Sequence, residues 1–245
     1  MKQNSLIIKP FGKNAILIQW PLKVSEDILY DILAFIESFK NTFPEAEKWE
    51  LIPAYNSLTL VTLSKSINFL SAKAAIEKVY TSRNKEIKIK RYLWKLPVCY
   101  DLEFGIDLEE SAEALGLDIK DLVAKHTNRP YTVYGIGFLP GFMYLGGLPK
   151  ELEINRRSSP RAKVLKGSVG LAAQQTGVYP QDSPGGWNII GNCPIPIFNP
   201  NKEEPCFVNV GDRIEFYSIS RAAYDLHKIE AEVGIFKPEK VALND

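Results

Sequence analysis

Eleven of the sixteen glycines in this chain of 245 residues fall between Gly135 and Gly191, and across residues 167–200 the only charged side chain is Asp182. A helix is not sustained through such a stretch, because glycine and proline both disfavour the hydrogen-bonded spiral. Short extended segments joined by tight turns are the alternative. Val133–Tyr134, Ser168–Ala173, Trp187–Ile190, Pro196–Phe198, Phe207–Val208 and Arg213–Tyr217 read as such strands, and the pattern points to an all-β barrel or sandwich. The missing charge also needs a reason. Solvated loops carry more of it, so something covers this surface: a substrate, a partner subunit or the rest of the same domain. In the plainest reading the glycines serve barrel corners and the neutrality reflects burial. A functional reading rests on Gly185–Gly186 beside Trp187, which puts backbone amides next to a large aromatic. Gln174, Gln175, Thr176, Ser183 and Asn188 add neutral hydrogen-bonding groups suited to a small amide ligand.

Upstream the hydrophobic period changes. Leu6–Lys9 and Ala15–Trp20 read as strands. From Ser25 to Phe43 the apolar residues Ile28, Leu29, Ile32, Leu33, Phe35, Ile36 and Phe39 recur at helical spacing, with Ser25 as N-cap and Pro44 as the stop. Trp49–Ile52 and Ser57–Leu63 suggest a hairpin around Pro-Ala-Tyr-Asn, followed by a helix from Ser66 to Thr81 and extended chain over Ile87–Val98. This is the pattern of a small α+β layer domain, with both helices on one side of its sheet. The expected division is 1–92 for that domain and 93–245 for the β domain. The second part opens with two short helices, Leu108–Leu115 and Ile119–His126, separated by Gly116, and then reads as strand and loop to its end.

Several function classes are disfavoured. Thirty basic against twenty-nine acidic residues leave a net charge of +1, no electrostatic reason to expect nucleic acid or an anionic membrane. Lys9, Pro10 and Lys13 interrupt what would be the apolar core of a signal peptide, and no window approaches a membrane span. Cys99, Cys193 and Cys206 are odd in number and form no CxxC pair, as expected for free thiols in the cytoplasm. With His126 and His227 as the two histidines and no HExxH, no metal site is expected. There is no GxxxxGK[ST]. Gly135 and Gly137 are followed by Gly141, off the dinucleotide spacing, and Asp182-Ser183-Pro184-Gly185 is not a nucleophile elbow.

Four runs in order, GIGFLPGFMYLGGLP (135–149), RRSSPR (156–161), GSVGLAAQQTGVYP (167–180) and SPGGWNIIG (183–191), resemble the KipI family, also called allophanate hydrolase subunit 1-like or the 5-oxoprolinase B-type subunit (PxpB). LPVCYD (96–101), KHTNRPYTVYGIGF (125–138) and VGDRIEF (210–216) extend the likeness. The resemblance implies an α+β N-terminal domain followed by a cyclophilin-like β-barrel. It also implies a role in ATP-dependent opening of 5-oxo-L-proline to L-glutamate, together with a KipA-type subunit and a LamB/YcsF-type protein. ATP with Mg2+ is then used by the complex, this chain holds no tightly bound cofactor, and it is inactive alone. A second implied role is inhibition of a sensor histidine kinase, with Phe138, Phe142, Tyr144 and Trp187 as the binding face. Prolyl isomerisation is suggested only by the barrel's name, and a fold does not carry function.

Phosphoryl activation of a lactam carbonyl needs cationic or amide donors for the developing charge. Arg161, directly after Pro160, is the first candidate, able to grip a phosphate or carboxylate bidentately. His126 matches a His-Ser/Thr position of the family and is the candidate acid or base, with helix-end capping as its plainer role. Arg156, Gln175, Tyr179, Ser183, Gly185, Gly186 and Trp187 are expected to line a substrate or partner pocket, while Arg157 suits a surface ion pair and Lys166 a solvated position. Asn155 and Leu165 stand where the family often has proline, and Asn192-Cys193 where it often has Arg-Thr.

Overall fold

The structure is a computed structural model that describes residues 6–43, 48–62, 67–84 and 88–243. Two compact units emerge, Met1–Lys90 and Arg91–Asp245. The break falls just before residue 91 because the first strand of the second unit begins there.

The first unit contains β1 (Ile7–Pro10), β2 (Ala15–Gln19), α1 (Glu26–Thr42), β3 (Trp49–Ala54), β4 (Ser57–Thr62) and α2 (Phe69–Ser82). Its antiparallel strands lie in the order β1-β2-β4-β3. Ile16 faces Leu60 and Ile18 faces Leu58 across the ladder, and all four are fully buried. Helix α1 starts where expected, with Ser25 Oγ accepting from the Ile28 N–H, and buries Leu29, Ile32, Phe35 and Phe39. Strand β3 continues through Pro53 and Ala54, leaving Tyr55–Asn56 as the turn with Tyr55 at φ 53°. Helix α2 begins behind Asn68, whose side chain accepts from the Ser71 N–H. Pro44, Leu63, Ser66 and Ile87 lie outside the described residues. Asp31 ties this unit together, accepting from Trp20 Nε1 at 2.7 Å, Tyr80 Oη at 2.7 Å and Arg83 Nη2 at 2.6 Å. Burial pushes its carboxyl up, but these donors outweigh burial and hold it below the usual aspartate range.

The second unit runs β5 (Arg91–Cys99), α3 (Leu108–Leu115), α4 (Ile119–Thr127), β6 (Pro130–Ile136), β7 (Met143–Gly146), β8 (Arg161–Val164), β9 (Ser168–Ala172), β10 (Gln175–Val178), β11 (Ser183–Gly185), β12 (Asn188–Asn192), β13 (Arg213–Ile219), α5 (Arg221–Glu232) and β14 (Glu239–Leu243). Strands in the order β6-β13-β5-β12-β9-β10-β7, with β7 pairing back to β6, close a seven-stranded mixed barrel. The β5–β13 pair is parallel, and β14 adds antiparallel to β5. The fold is therefore an α+β unit followed by a cyclophilin-like barrel. Leu96, Val98, Tyr131, Val133, Met143, Leu145, Val169, Leu171, Val178, Ile190, Ile214 and Phe216 fill the barrel. Each apolar side chain of this kind contributes about 1.5–3 kcal/mol when fully buried.

The structure corrects the end of the chain, which is not strand and loop throughout. Helix α5 forms behind Ser220, whose Oγ accepts from the Ala223 N–H, and β14 follows it. The periodicity of α5 is hard to read because Leu226, Ile229 and Val233 point outward and Tyr224 is its buried residue. Pro196–Phe198 and Phe207–Val208 are not strands; Phe198 and Cys206 meet in a single bridge. The chargeless stretch also finds its explanation. Every residue of β9 and β12 is buried, with the barrel core on one face and Val164, Tyr179 and Trp187 packed on the other. What covers it is the rest of its own domain.

Candidate functional site

Gly170 and Gly177 sit opposite each other in the β9–β10 ladder, and Trp187 lies across them. A methyl group on either would meet the tryptophan at 3.1 Å, so the missing side chains make its bed. Phe142 stands edge-on to the indole at 5.3 Å, Tyr144 lies at 6.4 Å and Tyr179 at 6.5 Å. Gly185 admits the Tyr179 phenol, whose oxygen occupies the place a Cβ would need. Burial pushes that phenol above its ordinary pKa, and the Trp187 backbone and Arg156 partly offset the shift. At the outer edge of this aromatic bed lie two exposed residues. Arg156 places Cζ 6.0 Å from the Trp187 ring, and Phe138, 66% exposed and at φ 68°, stands edge-on to Phe142.

The three arginines of 156–161 divide sharply. Arg161 donates Nη1 to Asp107 Oδ2 at 2.9 Å and Nη2 to Oδ1 at 2.5 Å. Arg157 donates to Asp107 Oδ1 and to Glu110 Oε2, both at 2.9 Å. Asp107 is 1% exposed and precedes α3 without capping it through its side chain. Its Oδ2 also accepts the Ile189 N–H at 2.7 Å, while its own N–H donates to Ile189 O. Arg157 and Arg161 thus neutralise a buried carboxylate that locks the turn before α3 onto β12. Arg156 is exposed, and no carboxylate pairs with it among the described residues. Asp107 is not among the residues that the sequence singles out. A lone aspartate before a helix reads as a cap, and nothing local reveals a partner across more than fifty positions.

His126 is fully buried on α4. Its Nδ1 is 2.7 Å from Tyr100 Oη, its Nε2 is 2.9 Å from Thr176 Oγ1, and its ring stacks on Phe216 at 4.9 Å. Burial pushes its pKa down to about 3, so the imidazole is neutral near pH 7 and has no open side. It is a strut between α4, the residue that follows β5, and β10. Nor does it cap through its ring: the helix end is held instead by Tyr131 Oη donating to His126 O at 2.7 Å.

Most of the neutral hydrogen-bonding groups also turn inward. Asn188 Nδ2 donates to Asn155 O and Leu171 O, Thr176 Oγ1 to Gly170 O, and Ser183 Oγ to Pro184 O. Gln175 is half-buried at the head of β10. Asn192, where the family often carries arginine, donates to Lys166 O and accepts from Tyr224 Oη, joining β12 to α5. Tyr179, Gly185, Gly186, Trp187 and Arg156 are therefore the singled-out residues that the fold gathers. A separate open groove of about 490 Å³, edged by Lys125, Arg129 and Lys150, contains none of them. Among the described residues no three His, Cys, Asp or Glu side chains are grouped to hold a metal ion, and no helix is long and apolar enough to cross a membrane.

The model of the family "Carboxyltransferase domain, subdomain C and D" matches residues 6–208. The 5-oxoprolinase B-type subunit of Bacillus subtilis is 37% identical over 237 residues, covering 91% of this chain and 97% of that protein. The crystal structure of TTHA0988 superposes with a TM-score of 0.73 at 29% identity, over 87% of this chain but 40% of the solved one. Urea carboxylase of Kluyveromyces lactis shares the fold, with a TM-score of 0.79 at 16% identity over 97% of this chain and 24% of that enzyme.

Proposed function

Because the chain belongs to the carboxyltransferase-domain family of subdomains C and D, we propose that it is the B-type subunit of an ATP-dependent 5-oxoprolinase converting 5-oxo-L-proline to L-glutamate. The observation that carries this reading is the match to a 5-oxoprolinase B-type subunit over 97% of that relative's length. The chemistry is phosphoryl activation of the lactam carbonyl, then hydrolysis.

The geometry supports a binding and positioning role for this chain. His126 is neutral and enclosed, and Arg157 and Arg161 are engaged by Asp107. We assign His126 and Arg161 to holding the barrel wall and the 156–161 segment in place. The proton-transfer groups and the site for Mg2+-bound ATP then come from a KipA-type subunit and a LamB/YcsF-type protein, in a cytoplasmic complex without which this chain is inactive. Kinase inhibition ranks second, with the exposed Phe138 as the feature in its favour.

ADP release by the chain, alone and with both partners, with and without 5-oxo-L-proline, tests the proposal. Lactam-dependent release in the complete mixture alone is the expected result. Silence from a folded, associated mixture removes the enzyme reading, and specific retention of a histidine kinase would then favour the second.

A further inference from the structure

We infer that Arg156 is the carboxylate anchor of this subunit: its guanidinium, held at the edge of the Trp187 bed, receives the carboxylate of a small cyclic amino-acid lactam. The inference rests on the 5-oxoprolinase reading and adds to it which residue distinguishes the natural substrate from a bare lactam.

A substrate carboxylate needs a cation that the protein has not already neutralised. Of the three arginines in the segment, Arg157 and Arg161 are engaged by Asp107 and Glu110. Arg156 has no carboxylate partner among the described residues and is exposed. It is also preorganised, because the backbone is clamped on both sides of it. Asn155 O accepts from Asn188 Nδ2 at 2.8 Å, and the Arg157 N–H donates to Gly186 O at 2.8 Å. The indole beside the guanidinium is itself immobilised on two glycines. An arginine whose root and aromatic backing are both fixed loses less freedom on gripping an anion. Its surroundings match the ligand chemically as well. The guanidinium offers a planar fork for a carboxylate, exposed Ser158 and Ser159 follow it, and the Trp187 ring lies 6.0 Å from its Cζ.

The test uses the complete reconstituted mixture. Arg156→Ala is expected to lower kcat/KM for 5-oxo-L-proline ~10–100-fold, the range for losing a charged hydrogen-bonded pair. Inhibition by 2-pyrrolidinone, the same lactam without the carboxylate, should be unchanged, and Arg156→Lys should fall between. An unchanged kcat/KM, or an equal loss of affinity for 2-pyrrolidinone, overturns the assignment. An inactive wild-type mixture instead strikes the 5-oxoprolinase reading. In that case tryptophan fluorescence of the full chain, titrated with 5-oxo-L-proline and with 2-pyrrolidinone, decides the anchor alone. A carboxylate-dependent response abolished in Arg156→Ala supports it, and no such response in the wild type overturns it.

Discussion

Asp107 and Arg161 meet as a bidentate pair, two nitrogens of one guanidinium on two oxygens of one carboxylate, at 2.9 and 2.5 Å. The aspartate is buried and the arginine only partly so, and Asp107 is the shared centre of the cluster, accepting also from Arg157 and from the Ile189 N–H. Removing Arg161 leaves Arg157 and the Ile189 N–H still on Asp107, whereas removing Asp107 frees Arg161, leaves Arg157 with Glu110 alone and orphans a buried amide.

Asp107→Ala is therefore expected to cost about 3–5 kcal/mol, as for breaking a buried ion pair, and Arg161→Ala less. Urea unfolding of the two variants measures the order. Equal losses would mean that the Ile189 and Arg157 contacts contribute nothing.

His126 predicts a pH dependence of stability. Its folded-state pKa is pushed down to about 3 from an ordinary 6.5. Between those values the unfolded chain binds a proton that the folded chain refuses, so stability falls as pH falls, by up to about 1.4 kcal/mol per pH unit. Above 6.5 the residue is neutral in both states and has no such effect. His126→Gln should flatten the stability curve over pH 3–6.5 relative to wild type. Parallel curves would show that the ring titrates normally in the folded protein.

Adjacent glycines should behave differently. A methyl group on Gly185 collides with the Tyr179 phenol, whereas one on Gly186 meets nothing closer than 3.6 Å, at Pro160. Gly185→Ala is expected to destabilise by about 1–3 kcal/mol, and Gly186→Ala to stay within about 0.5 kcal/mol. Thermal melting of both variants, with the difference between them as the readout, checks this.

In the N-terminal unit Asp31→Asn should cost about 1.5–3 kcal/mol, because a charged acceptor of the Trp20, Tyr80 and Arg83 donors becomes neutral. Since the folded carboxyl titrates below its usual value, the wild-type advantage is present above the unfolded pKa near 3.8 and fades as pH falls through the folded one. Denaturation of both proteins at pH 7 and pH 3 compares them; a gap that widens in acid would contradict the account.

What the sequence discloses follows the range of the interactions involved. Helix α1 is legible because its cap, its apolar stripe and the acids of its first turn, Glu26 and Asp27, lie within one segment. The α3–α4 boundary is legible because Gly116 at φ 65° ends a helix by itself. The likeness in 135–191 leads correctly to the barrel, but the chargeless stretch is ambiguous between a binding face and a wall buried on both sides. The neighbours of His126 are hidden for a simpler reason. Tyr100 lies 26 positions away and Thr176 lies 50 away, and no local pattern predicts that a helix-end histidine will be sealed between them. Arg161 misleads in the same way: its geometry suits an anion, and the anion is the protein's own Asp107.

The parallel pairing of β5 with β13 bears on how the chain is made. Every sheet partner of β5 lies at residue 188 or beyond, in β12, β13 and β14. A ribosome adding 5–20 residues per second needs on the order of 5–20 s to synthesise the roughly ninety residues between β5 and β12. Throughout that interval Trp94, Leu96 and Val98 belong to a strand with no neighbour on either side. The nascent chain spends those seconds as an open, sticky edge, and that is when a chaperone has most to offer it.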